Sequence, residues 1–324
     1  MPQVSALLRS CVLFTAAFTL TIAAGYAQSE PFSLPTHRGA MLLDLDGVHI
    51  TQSSAKPNGN ELGIRAHDDG HMDFLAFLFL TPNDTAQTAN SCRMAELDQI
   101  TKDSKGAVRL QSLNPDKTDT PDIASMRLIY PSGEEILYRY SGSGDQCLTV
   151  EVYADKGYPL DQYDAFSLLH RQSYDPVYAP TPKDKFLYAE VLYRTEQYAA
   201  AVPFYRAFLA TDAAAKDLTM RRVATDDMGI SLGLSGQFDA ARKIFNDAIQ
   251  RDPDYPLNYY NLACADAEQG NAKDARLHLQ QAFDRKAHTL HGEHMPDPAQ
   301  DDSILKLKND KAFWAFVQSL SNSL

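Results

Sequence analysis

The chain has 324 residues, 30 Lys and Arg against 42 Asp and Glu, a formal net charge of −12 and 44% hydrophobic residues. That length accommodates two domains. The acidic balance, with no run of lysine or arginine, argues against a nucleic-acid footprint or an anionic membrane surface as the partner, because both draw their affinity from clustered cations.

Residues 1–27 read as a secretory signal peptide. Arg9 is the only charge before an apolar run from Val12 to Ala24, and Gly25-Tyr26-Ala27 offers small residues for cleavage. No later segment approaches the roughly 20 apolar residues of a membrane helix, so no membrane span is expected. The mature protein is therefore expected to be periplasmic or secreted. Cys11 leaves with the leader, and Cys92, Cys147 and Cys264 remain in an oxidising compartment. One pair and one leftover is the simplest arithmetic. The expected bond joins Cys92 to Cys147, and Cys264, in a repeat helix, is expected to be a buried free thiol.

Residues 28–160 have the texture of a mainly antiparallel α+β domain. Apolar runs of strand length at Met41 to Leu45, Glu61 to Arg65, Phe74 to Leu80, Ala107 to Leu110, Ser125 to Tyr130, Glu135 to Tyr140 and Leu148 to Tyr153 are separated by Gly, Pro, Asn and Asp clusters. Only Thr85 to Ile100 reads as a helix between them, and runs of strands with few helices favour an antiparallel sheet. Within the first strand, LLDLDGV at residues 42–48 resembles the first motif of the haloacid dehalogenase superfamily. That resemblance implies a phosphatase in which Asp44 attacks phosphorus, Asp46 serves as acid and base, and magnesium offsets their charge. The remaining parts of such a site are not legible: no strand ends in paired aspartates, Gly144-Asp145 precedes its strand, and no context selects a lysine. The preferred reading is a strand entering a turn, because aspartate bonds its own backbone there and glycine tolerates positive φ.

Residues 161–182 supply a linking helix, from about Leu160 to His170, and a linker rich in proline at 176, 180 and 182. From residue 183 to 324 the chain repeats itself. The stretch starting MGISLGLSGQFDAAR at Met228 aligns without a gap on LACADAEQGNAKDAR at Leu262, with Gly236 on Gly270, Ala241 on Ala275, Phe245 on Leu279 and Ala248 on Ala282. A weaker copy lies upstream around Ala189, Tyr198, Ala201 and Tyr205, with about six extra residues before the next unit. Alanines at the closest crossing let antiparallel helices approach, and glycine breaks the chain between them. Phe313, Phe316, Val317 and Leu320 at i, i+3, i+4, i+7 predict a capping helix.

This 34-residue pattern resembles the tetratricopeptide repeat family. The resemblance implies an all-α solenoid whose first helices line a concave surface for a protein or peptide partner. It places Phe186, Glu190, Tyr193 and Arg194 on that surface from the first unit, Asp226, Ile230 and Gly233 from the second, and Tyr260, Cys264, Ala267 and Glu268 from the third. The lysines and asparagine with which some relatives grip a C-terminal carboxylate are missing there. His288, His291 and His294 with Glu293 could in principle hold a metal, but HTLHGEHMPDP reads as a solvated loop. The expectation is thus a non-catalytic interaction module without cofactor or metal, bound to an unnamed partner in the cell envelope. Its alternatives are the Asp44/Asp46 phosphatase and a structural subunit of an envelope assembly.

Overall fold

The computed structural model describes residues 30–43, 48–68, 72–80, 87–113, 119, 121, 123–154, 173–175 and 177–324. The leader, Asp44, Asp46 and the segment from Leu160 to His170 lie outside the described residues. The chain forms two compact units, one within Gly25–Gln197 and one containing Tyr198–Leu324. The boundary falls after the helix that the sequence pattern counts as the first of the repeats.

The first unit is built on a seven-stranded sheet of β3 (Val48–Ala55), β4 (Glu61–Asp68), β5 (Met72–Leu80), β6 (Arg109–Ser112), β7 (Ala124–Ile129), β8 (Glu135–Ser143) and β9 (Gln146–Ala154), in the order β3-β4-β5-β9-β8-β7-β6. A second sheet pairs β2 (Ala40–Leu43) with β1 (Glu30–Ser33) on one side and β10 (Ser173–Asp175) on the other. Every pairing among these strands is antiparallel. The architecture is therefore α+β, and β2, which leads toward Asp44, does not sit in a parallel sheet.

Helix α1 (Ala89–Asp103) covers β7, β8 and β9. Its start is set locally: Thr88 Oγ1 accepts from Ser91 N at 3.1 Å, and Ser91 Oγ accepts from Thr88 N at 2.9 Å, so two otherwise orphaned donors are satisfied. Ala89 and Cys92 of α1 pack on Met126, Leu128, Tyr138, Tyr140 and Cys147 of the sheet. A disulfide joins Cys92 to Cys147 with a Cα–Cα distance of 5.9 Å, and so ties the helix to β9. Helix α2 (Pro182–Arg194) opens with Thr181 and Asp184 capping each other and Pro182 at its first position. It is anchored to the β3–β4 hairpin by Tyr188, whose hydroxyl donates to Lys56 O at 2.8 Å and Glu61 O at 2.7 Å.

The second unit is all helical. α3 (Tyr198–Leu209) is followed by a short α4 (Asp212–Lys216), which accommodates the extra residues before the next hairpin. Two antiparallel hairpins follow, α5 (Leu218–Leu234) with α6 (Phe238–Arg251), and α7 (Pro256–Glu268) with α8 (Ala272–Phe283). Both turn on a glycine in the left-handed region, Gly236 at φ 78° and Gly270 at φ 76°, where a side chain would be strained. The alanines at 241, 248, 275 and 282 are all buried at the helix contacts. Beyond a 3₁₀ turn at Lys286–His288, the short α9 (Asp302–Leu305) packs on α7, and α10 (Lys311–Ser321) packs on α8. Phe313, Phe316, Val317 and Leu320 of α10 close the end of this core, and Arg276 of α8 stacks over Phe316 at 4.2 Å.

Candidate partner-binding surface

In the third repeat, Tyr260, Cys264 and Glu268 recur at four-residue steps and form one stripe along α7. The chain's own C-terminal segment covers this stripe. Tyr260 donates from its hydroxyl to Asp301 Oδ2 at 3.1 Å, Cys264 Sγ lies 3.6 Å from the same oxygen, and Glu268 pairs with Lys306. Asp301 is 2% exposed, and its other oxygen accepts from Ser303 N and Ile304 N to start α9. Ile304, directly behind, is fully buried. Tyr260 and Cys264 are 1% and 7% exposed. The expectation that both line an open groove is corrected: a hydrophobic stripe with an open hydroxyl at one end is satisfied internally, by an aspartate forty-one residues downstream. The resemblance could not disclose this, because the covering segment lies outside the repeat.

The neighbouring stripe on α5 begins at Asp226. Its Oδ1 accepts from Asn261 Nδ2 at 2.5 Å, which ties α5 to α7. Burial pushes the Asp226 carboxyl well above its ordinary range, the charge of Glu293 adds to that, and the Asn261 hydrogen bond opposes it. Glu293 is itself engaged, accepting from Tyr255 Oη at 2.8 Å and Leu290 N at 2.9 Å. One helical turn along, Ile230 is half-buried, and a side-chain carbon placed on Gly233 would meet nothing within 4 Å. A side chain at position 233 would therefore meet no neighbour among the described residues.

His291 and His294 are exposed, the His288 carbonyl faces Arg222 Nη1 at 3.5 Å, and Glu293 is held by Tyr255. Among the described residues, no three His, Cys, Asp or Glu side chains are grouped to hold a metal. A different polar cluster was not legible as such. Asp266, with no exposed surface, takes Arg242 Nη2 at 2.5 Å on one oxygen and His278 Nδ1 at 2.6 Å on the other, joining α6, α7 and α8. The available signal was the alignment of Asp266 with Leu232, a charge in a core slot of the repeat.

The four residues expected from the first unit lie on α2, in the compact unit that holds the sheets. Phe186 and Tyr193 are 7% and 3% exposed, Glu190 is half-buried, and Arg194 is exposed with its guanidinium 3.7 Å from Glu190.

Residues 234–289 match the family model described as Tetratricopeptide repeat. Three solved structures share local likeness. A MamA RS-1 ArsTM double mutant is 18% identical with a TM-score of 0.29, over 33% of this chain and 56% of that one. The type III secretion chaperone SycD of Yersinia enterocolitica, in complex with a peptide of the translocator YopD, is 15% identical with a TM-score of 0.30, over 44% and 92%. The Sgt2 TPR domain of Aspergillus fumigatus is 16% identical with a TM-score of 0.32, over 43% and 83%. The chain thus spans about half the length of the first of these. No curated protein matches the chain. The C-terminal part of the chain is a tetratricopeptide repeat region, by its 34-residue period, its helical hairpins and the matched model.

Proposed function

We propose that this repeat region is a protein-interaction module acting outside the cytoplasm, and that its partner seats on the inner face of α5. The observation that carries this reading is the pairing of half-buried Ile230 with open space at Gly233. An apolar side chain beside a vacant patch on a rigid repeat scaffold gives a partner somewhere to desolvate. The corresponding face of α7 is excluded, since Asp301 and α9 already occupy it. The compartment is supported by the leader-like residues 1–27 and by the Cys92–Cys147 disulfide, a bond that persists where the medium is oxidising.

The test adds bulk where the fold has room for it. Gly233→Gln fills the open patch and removes a helix glycine, so the fold should gain slightly, by about 1 kcal/mol or less. Ile230→Arg alters the apolar wall. Mature protein and both variants are used to capture partners from an envelope fraction, and the affinity of each captured partner is then measured. Loss of the same partner in both variants, with melting curves intact, is the expected result. Retention of every partner at unchanged affinity would move the binding surface elsewhere.

A further inference from the structure

Asp226, Ile230 and Gly233 lie at i, i+4 and i+7 of α5 and so share one stripe. The first end of this stripe is acidic. Asp226 and the next residue, Asp227, are 9% and 6% exposed, and the charge of Glu293, from the segment after α8, acts on both Asp226 and Tyr255. Tyr255 donates from its hydroxyl to Glu293 Oε1 at 2.8 Å. The cation at this end, Arg222, is committed to another acid: its Nε and Nη2 donate to Asp252 at 2.7 and 3.0 Å, and its guanidinium stacks over the Tyr255 ring.

A second feature is independent of the acids. Tyr255, Asn258 and Asn261 follow one another at three-residue steps along the start of α7, so they share a face. Asn261 bonds Asp226 from that face, and Tyr255 bonds Glu293. Asn258, between them, is 3% exposed, and its Oδ1 has no hydrogen-bond partner among the described residues. A buried acceptor without a donor costs stability. The cluster is thus short of a donor and of positive charge in the same place.

A neutral donor such as a hydroxyl would satisfy Asn258 and leave the acids uncompensated. An ammonium or guanidinium brings several N–H donors together with its charge, and hydrogen bonds between ionised partners are the stronger class. Spacing sets the rest of the ligand. A four-residue step along α5 covers about 6 Å, and two residues of an extended chain span about 6.6 Å. A segment with a basic side chain at Asp226 therefore brings the side chain two positions away to Ile230.

We propose that the protein partner on α5 presents a Lys or Arg side chain to Asp226, Glu293 and Asn258, with an apolar side chain two positions away on Ile230. This rests on the α5 reading above and adds the partner's chemistry to it. A proton is coupled to the contact. Burial first, and the charge of Glu293 second, make Asp226 hold its proton more tightly than an ordinary carboxyl. A bound cation favours the ionised form, so the proton leaves on binding and affinity should rise with pH. Asp227, Glu293, Tyr255 and the Arg222–Asp252 pair surround the same site, so a variant at Asp226 itself is needed to assign that slope.

The probes are fluorescein-labelled Gly/Ser peptides with a central Arg, norleucine or Glu and a Leu two positions to either side, titrated against the full mature chain by fluorescence anisotropy. Arg stays charged at every working pH, so any pH dependence of its binding belongs to the protein. The Arg peptide should bind about tenfold or more tightly than the norleucine peptide, the Glu peptide should bind weakest, and only the Arg peptide should gain affinity as pH rises. Asp226→Asn keeps the shape of the side chain; it should bring the Arg peptide down to the norleucine level and flatten its pH slope. Gly233→Gln should weaken the Arg and norleucine peptides alike. Equal affinity for these two peptides, both weakened by Gly233→Gln, would overturn the basic contact and leave the α5 reading standing. An Arg preference that survives Asp226→Asn, or no binding of either peptide, would also overturn the contact, and the capture experiment then decides the α5 reading by itself. Arg binding lost in Asp226→Asn but indifferent to Gly233→Gln would instead overturn the seat on α5. If Asp226→Asn fails to fold, the norleucine comparison and the pH slope on the unaltered protein decide the question.

Discussion

Gly229 sits in the middle of α5, where a glycine costs helix stability, and space explains its presence. A side-chain carbon there would lie 2.3 Å from Cζ of Phe245, a rigid ring of the facing helix α6. Gly229→Ala should gain about 1 kcal/mol of helix propensity and lose about 1 to 3 kcal/mol through overpacking, so a lower melting temperature is expected. The second residue-scale expectation concerns pH. Glu151 pairs across strands with Tyr138 and lies near Glu96, and burial pushes its carboxyl up to about 7, with the Glu96 charge adding to the effect. Tyr130 and Tyr138 share a 2.5 Å hydrogen bond in the same cluster, and Glu96 is also raised by burial. Because the folded protein holds a proton that the unfolded chain releases near pH 4.5, stability should be greatest below that pH window. It should fall as pH rises from about 4.5 through about 7, by on the order of 3 kcal/mol. Melting curves of the wild type and Glu151→Gln over this range provide the check. An unchanged slope in the variant would assign the pH dependence to another group.

At the scale of elements, α1 illustrates what a crosslink does. The disulfide closes a loop with a sequence separation of 55, and a loop of that length stabilises by about 4 kcal/mol in the chain-entropy model. The double variant Cys92→Ser, Cys147→Ser should lose about that much in denaturant unfolding. Which elements were legible follows the physics of their surroundings. Strands β4, β5, β7, β8 and β9 pack in the interior of the sheet, so their sequences carry apolar runs. β3 is an edge with mostly exposed polar residues, so it carried no hydrophobic signal and was not expected. β1 and β10, at four and three residues, are too short for a periodic pattern. The repeat helices were legible because small residues are required where helices cross. The burial of Tyr260 was not, because Asp301 belongs to a connection that obeys no repeat rule. The α1 start at Ala89 is set by the Thr88 cap, a stronger local signal than the apolar content upstream.

At the scale of the whole molecule, two compact units with separate cores should melt with separable transitions. Because the disulfide lies wholly in the sheet unit, adding reductant should lower one transition and leave the repeat transition in place. A calorimetric scan with and without reductant reads this directly, and a single transition that shifts as a whole would mean that the units unfold together. Within the repeat unit, Asp226, Asp266 and Asp301 each bind donors from other parts of that unit, so buried acids help to align its helices. The cover over α7 carries a further consequence. Cys264 is the free cysteine among the described residues, and it lies beneath Asp301 and α9. The cover leaves it only 7% exposed, so its alkylation in native buffer should be slower than that of an exposed thiol, in proportion to the fraction of time the cover is open. The protein thereby contains a clock for the motion of its own C-terminal segment, one that ticks without any label being added to its sequence.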